Sequence, residues 1–201
     1  MLRSRLSLIL LLMASVVINS CGDDDGGNFI TDLFFPVEDD IKLGAQLRDE
    51  IAANPGQYPV LSETQYPEAY GHLRRIRDEI LNSGEVTHRD DFAWEVRIIQ
   101  DDSTLNAFAA PGGFIYVYTG LIKFLDNESE FAGVIGHEIA HADRRHSVNQ
   151  LSKAFGVQLL LDVTLGQGAV SDVLGGLVNL SFSRSDESDA DEHSVIYLCP
   201  T

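Results

Sequence analysis

The 201 residues include only two cysteines, Cys21 and Cys199. So small a supply excludes a disulfide framework, whatever the redox compartment. Basic residues are scarce as well: 14 Lys and Arg stand against 31 Asp and Glu, for a net charge of −17. That balance gives a nucleic-acid partner no electrostatic support and chiefly reports solubility. Long apolar runs are missing too. The stretch from Leu6 to Ile18 stops at thirteen residues, short of the about 20 that a membrane-spanning helix needs. No internal repeat is visible. What remains, a chain of this length with 44% hydrophobic residues, suits one domain with a real core.

The chain is organised around Gly133-Val134-Ile135-Gly136-His137-Glu138-Ile139-Ala140-His141. This is the HExxH pattern of zinc-dependent hydrolases. At about 100° per helical residue, His137 and His141 project roughly 40° apart, so one cation can take a nitrogen from each. Glu138 stands beside the metal without binding it, placed as the base that takes a proton from an attacking water. Asn127, followed three residues later by Glu130, reads as the helix cap, and Phe131, Val134, Ile135 and Ile139 supply an apolar face. A buried helix carries two histidines and a glutamate at a desolvation cost unless they are paired or bound.

Residues 1–20 read as an address. Arg3 and Arg5 make a positive start to the apolar run, which ends at Ile18-Asn19-Ser20-Cys21. That ending resembles the lipobox of bacterial lipoprotein precursors, with Asn19 where a small residue is usual. Cys21 would then be the lipidated first residue and the link to a membrane. An ordinary cleaved signal and an uncleaved anchor are the other readings. Residues 21–35, with Asp23-Asp24-Asp25-Gly26-Gly27-Asn28, have the composition of a flexible acidic tether. The folded domain is then 36–201.

Within it, Pro36 opens a helix that runs to about Ala53, and Ala69, Leu73, Ile76 and Ile80 form the spine of a second. The period then changes. Phe92, Trp94, Val96 and Ile98 alternate with Ala93, Glu95 and Arg97, and Leu105 to Ala110 and Phe114 to Tyr118 are two further short strands joined at Pro111-Gly112-Gly113. The expectation is an α+β fold, mostly helical, with a small antiparallel sheet directly before the HExxH helix. Val148 to Leu165 and Ala169 to Phe182 are apolar helical stretches that pack over the core.

A catalytic zinc generally has three protein ligands. One known continuation of HExxH needs a glycine at position 144 and a histidine at 147; the chain has Arg144 and Ser147. His146, nine residues after His137, falls on the opposite face of an extended helix and reads as a surface histidine. The other source is a carboxylate within Ser183-Arg184-Ser185-Asp186-Glu187-Ser188-Asp189-Ala190-Asp191. Glu187 and Asp191 lie four apart on one face, one able to bind metal and the other to accept a ligand histidine's second N–H. A solvated helix start accounts for the same run.

In combination, Asn106 to Gly113, Thr119-Gly120-Leu121-Ile122, His137 to His141, and Phe182-Ser183-Arg184 with Glu187, Ala190 and Asp191 resemble the gluzincin-type HtpX/Oma-like metallopeptidases. These form peptidase family forty-eight, relatives of the CAAX prenyl endopeptidases, and the resemblance runs from about Pro36 to the end. It implies a zincin-like fold and one zinc ion on His137, His141 and Glu187. It also implies Asp191 behind His137, Glu138 as general base, and Asn106 and Ala107 on an edge strand that pairs with an extended substrate. The function it implies is hydrolysis of unfolded or extended polypeptides in the bacterial cell envelope, as protein quality control by a lipid-anchored enzyme. A catalytically weak zinc-binding or chaperone-like module on the same scaffold is the alternative. Members of this family usually continue past the ligand helix and draw oxyanion-stabilising groups from there, whereas here only His193 follows Asp191. The 201 residues are therefore expected to be C-terminally incomplete and slow in catalysis.

Overall fold

A computed structural model describes residues 31–200, Asp32 excepted. The leader at 1–20, Cys21 and the acidic run that follows it lie outside the described residues. Of the stretch expected to be a tether, the last described residues pack onto the domain. Thr31 and Phe35 are buried, and the Phe35 carbonyl accepts from Arg145 Nη2 at 2.7 Å. Burying an aromatic ring is worth about 1.5–3 kcal/mol, which is enough to order the residues beside it.

The helices and strands are α1 (Val37–Ala53), α2 (Pro67–Leu81), β1 (Glu95–Ile99), β2 (Ala107–Ala110), β3 (Phe114–Tyr118), α3 (Thr119–Phe124), α4 (Glu128–Asp143), α5 (His146–Phe155), α6 (Val157–Thr164), α7 (Val170–Val178) and α8 (Arg184–Leu198). The sheet lies between two helical layers, and the strand alternation decides which side chain serves which layer. Val96, Ile98, Ala109, Ile115 and Val117 meet α2, α4 and α8. Ile99, Phe108, Phe114, Tyr116 and Tyr118 face the other way, onto α1, α5, α6 and α7. All five residues of β3 are buried because it is the central strand.

The sheet differs in one respect from the antiparallel arrangement expected. β2 and β3 form the antiparallel hairpin, but β1 pairs with β3 in parallel, with Glu95 opposite Phe114. Alternation marks a half-buried strand but carries no information on its direction. The connection 100–106 instead carries the chain past β3 to its far edge. The hairpin turn holds Gly112 and Gly113 at φ 75° and 82°, a left-handed region that side chains with a Cβ rarely adopt. The apolar stretch from Val148 to Leu165 is likewise two helices rather than one, divided at Gly156, where φ is 82°. Both pack over the core as expected, with Val148, Leu151, Leu160 and Val163 buried. Among the described residues, no helix is long and apolar enough to cross a membrane.

Gly44 shows how closely the first layer is set. A Cβ there would stand 2.0 Å from the Pro111 carbonyl oxygen and 2.5 Å from the Phe114 ring. Replacing a mid-helix glycine by alanine ordinarily gains about 1 kcal/mol. Here the backbone of the hairpin cannot yield, and overpacking of this kind costs about 1–3 kcal/mol. Gly44→Ala is therefore expected to lower stability, read as a reduced midpoint in thermal or urea unfolding. A variant more stable than the parent would show that α1 and the hairpin are less tightly apposed.

Candidate metal centre

Helix α4 begins where its cap requires. The Asn127 side chain accepts from the Glu130 N–H at 3.0 Å, and Glu130 in turn accepts from the Asp126 N–H. Ile135, Ile139 and Ala140 are fully buried against the core. This registers the helix so that His137 and His141 emerge together at its other edge. Helix α8 is started by a reciprocal cap between Ser183 and Asp186, which sets Glu187 in its first turn. The two helices pack along one another. Gly136 leaves room for the Leu198 side chain, which would lie only 3.3 Å from an added Cβ.

That packing brings three donors together. The Nε2 atoms of His137 and His141 are 2.9 Å apart, and Glu187 Oε2 lies 3.4 Å from the first and 4.0 Å from the second. All three ligand atoms fall within 4.8 Å of one another. Two imidazole nitrogens and a carboxylate oxygen are the donor types zinc takes in open, three-ligand sites, where tetrahedral ligands stand about 3.3 Å apart. The residues present therefore fit the cation that the motif implies. Asp191 Oδ1 is 3.0 Å from His137 Nδ1, so it accepts the second N–H of that ring while its own side chain stays mostly in water. Burial, reinforced by the neighbouring His137 and His146 rings, pushes His141 down to about 3, so it presents a neutral imidazole. The Phe182 ring stacks on His141 with centroids 3.9 Å apart and holds its plane.

Glu138 lies between these donors and the sheet. Burial and the nearby Glu187 carboxylate push its carboxyl up to about 8, against a lowering hydrogen bond from the Ala109 backbone. A value near neutrality suits a group that must take and return a proton. A cavity of about 220 Å³ opens over Glu138 and the three ligand candidates, with Asn106 and Ala107 on one wall and Leu177 and Phe182 on the other.

β2 is the outer strand of the sheet. The Tyr118 N–H donates to the Asn106 carbonyl. In an antiparallel ladder this turns both backbone groups of Ala107 and of Ala109 away from β3, towards the cavity. Ala109 is engaged: its carbonyl accepts from Ser147 Oγ at 2.6 Å, and its backbone bonds to Glu138. Among the described residues, Ala107 is where the strand's outward backbone stays open. Asn106 and Ala107 thus lie on the cavity wall at an unpaired sheet edge, the placement that backbone pairing with an extended peptide needs.

His146 is the residue that sequence reasoning misplaced. It is buried, not exposed, because α4 stops at Asp143 and Arg145 adopts a left-handed conformation with φ 59°. The chain reverses there and His146 opens α5 beside His141, with the two Nδ1 atoms 3.1 Å apart. No glycine or proline marks the stop, so helical extrapolation ran past it. Asp189, the other carboxylate of the acidic run, is no ligand candidate in this geometry. It binds Arg144 Nε at 2.8 Å and lies 3.1 Å from His146 Nε2. His193 is engaged elsewhere, its Nδ1 donating to the Asp189 carbonyl at 2.8 Å.

A family model described as Peptidase family M48 matches residues 67–199, well over half of the chain. The chain belongs to this family. The M48 match begins at the first residue of α2, so α1, which the sequence resemblance included, precedes it. Among curated relatives, the mitochondrial metalloendopeptidase OMA1 of Arabidopsis thaliana is 33% identical over 117 residues, covering 56% of this chain and 24% of the relative. Metalloprotease YcaL of Escherichia coli is 31% identical, covering 48% and 41%. The beta-barrel assembly-enhancing protease of the same organism is also 31% identical, covering 50% and 24%. The chain therefore spans well under half the length of each. The M48 match contains every residue of the ligand cluster, of Glu138 and of the β2 edge.

One buried carboxylate secures the helix pair on which the cluster depends. Asp143 accepts from the Thr87 and His88 backbone N–H groups and, at 2.7 Å, from Tyr197 Oη on α8. Burial and that same carboxylate push the Tyr197 phenol up, so it remains the donor. Each buried donor left without a partner costs about 1–3 kcal/mol. Asp143→Ala is expected to destabilise the fold by about 3–5 kcal/mol in chemical denaturation, and Asp143→Asn by less, because the amide oxygen still accepts. Equal losses in the two variants would show that the negative charge, rather than the hydrogen bonds, matters.

Proposed function

We propose that the chain is a zinc-dependent endopeptidase that cleaves extended or unfolded polypeptide. The observation that carries the reading is the convergence of His137 Nε2, His141 Nε2 and Glu187 Oε2 beside Glu138 in one cavity. A single zinc ion held by those three atoms would supply a Lewis acid that polarises the scissile carbonyl and makes water acidic near neutral pH.

The protein's own groups do the rest. An extended substrate segment lies along β2 and pairs with the outward backbone of Ala107, with Asn106 beside it, and so brings its carbonyl over Glu138. Glu138 takes the proton of the attacking water and returns it to the leaving amine nitrogen, so the same carboxylate acts first as base and then as acid. Asp191 keeps His137 in the tautomer whose Nε2 lone pair faces the cluster. The M48 relatives named as metalloendopeptidases support this chemistry, and the shared region supports the placement of its residues.

The cell-envelope setting rests on the leader and on Cys21, and the quality-control role on the family resemblance. We assign Cys21 as the lipidated residue that holds the domain to a membrane, because the run before it ends in a lipobox-like sequence. Two or more acyl chains are needed for stable anchoring, and a lipidated amino-terminal cysteine carries them.

Glu138→Gln should retain zinc and lose casein or peptide cleavage by about 10²–10⁴-fold, the usual worth of a general base. His137→Ala, His141→Ala and Glu187→Ala should lose the metal itself, measured by metal content after dialysis, and a chelator should abolish cleavage by the parent. Activity within tenfold of the parent in Glu138→Gln would sink the assignment. A parent that holds zinc but cleaves nothing would favour the non-hydrolytic binding module. Separately, Cys21→Ser should move the protein from the membrane to the soluble fraction; continued sedimentation with membranes would refute the lipid anchor.

A further inference from the structure

His141 and His137 are served differently. His137 has a carboxylate, Asp191, directly on Nδ1 at 3.0 Å. Among the described residues, no carboxylate pairs with His141 Nδ1. It meets another imidazole, His146 Nδ1, at 3.1 Å, and the far nitrogen of that ring, Nε2, lies 3.1 Å from Asp189 Oδ2. Asp189 is itself held in place by Arg144 Nε at 2.8 Å. His141 and His146 are both buried, at 2% and 5% exposure, so water does not compete for these nitrogens.

Two imidazole nitrogens that face each other at this distance share one proton, and its position orders the whole chain. If His146 were the donor, the neutral His141 ring would carry its own proton on Nε2, facing His137 and Glu187, and would have no lone pair for a cation. The opposite polarity is consistent throughout. His141 donates Nδ1–H to His146, His146 donates Nε2–H to the Asp189 carboxylate, and Nε2 of His141 is left as an acceptor. We propose that His146 is a positioning residue that fixes the tautomer of His141 and relays the pull of Asp189 to it across two imidazole rings. The inference rests on the reading of His137, His141 and Glu187 as metal ligands, and it assigns His146, Asp189 and Arg144 a role in that site.

The test compares three variants for zinc affinity against a competing chelator, and for the visible absorption of the cobalt-substituted protein. His146→Phe keeps the ring volume and removes the acceptor, so affinity should fall about 10–100-fold, as losses behind a metal ligand do. The cobalt bands should shift or weaken with it. His146→Asn puts an amide oxygen close to where Nδ1 stands, so it should recover most of the loss and the parent spectrum, although packing is poorer. His137→Ala is the control that removes a ligand. Parent-like zinc affinity and cobalt spectrum in His146→Phe would overturn the inference alone. Equal losses in the Phe and Asn variants, accompanied by a lower unfolding midpoint of the metal-free protein, would also overturn it, by showing a packing role. Zinc held equally by the parent and by His137→Ala would overturn the ligand assignment itself, and the inference with it.

Discussion

The packing of α8 along α4 is the constraint from which the rest follows. Neither helix alone contains the cluster: α4 brings two imidazoles and Glu138, and α8 brings Glu187 from nearly fifty residues further along the chain. Ala140 and Ala190, both fully buried, and the small Gly136 allow the helices to approach closely. The approach is then secured at the C-terminal end of α4, where Asp143 binds Tyr197 and the next residue, Arg144, binds Asp189 of the same partner helix. The Asp143–Tyr197 bond is buried, so it sets the register of the two helices more firmly than a surface ion pair would. A register shift of one residue would turn Glu187 by about 100° and take it out of the site.

The sheet contributes through its edge. β3 is buried on both faces and fixes β2, and β2 presents its outer backbone to the same cavity as the ligand candidates. Ala109 is tied to Ser147 and to Glu138, which anchors the general-base candidate to the strand, while among the described residues nothing pairs with the outward backbone of Ala107. One strand thus both holds Glu138 and offers the line along which a peptide can pair, so base and substrate backbone share a single rigid reference.

The buried polar groups around the cluster have a common logic. His141, His146, Asp143 and Ser147 would each be costly in an apolar interior, and each is met by a partner of matching chemistry. The cost is concentrated at the end of α4, where Arg145 takes a left-handed conformation and pairs with buried Asp40 while also holding the Phe35 carbonyl. The ion pair and the hydrogen bond from Arg145 tie the start of the domain to the end of α4.

Much about this protein follows from local sequence alone. His137, Glu138 and His141 share a helix edge because of their spacing, Asn127 starts that helix because its side chain can cap it, and Glu187 and Asp191 share a face because they are four apart. The helical spine of α2 and the alternation of β1 follow from periods that need no tertiary contact to be read. Other features depend on contacts between distant segments. Strand direction was decided by where the 100–106 connection travels. Which carboxylate of the acidic run comes nearest the two imidazoles depends on how α8 lies on α4. The place of His146 was decided by a chain reversal at Arg145 that no turn residue announces. Short-range periodicity is printed in the residues themselves, whereas a left-handed arginine, a parallel pairing or a partner for a buried ring exists only once the surrounding packing stabilises it.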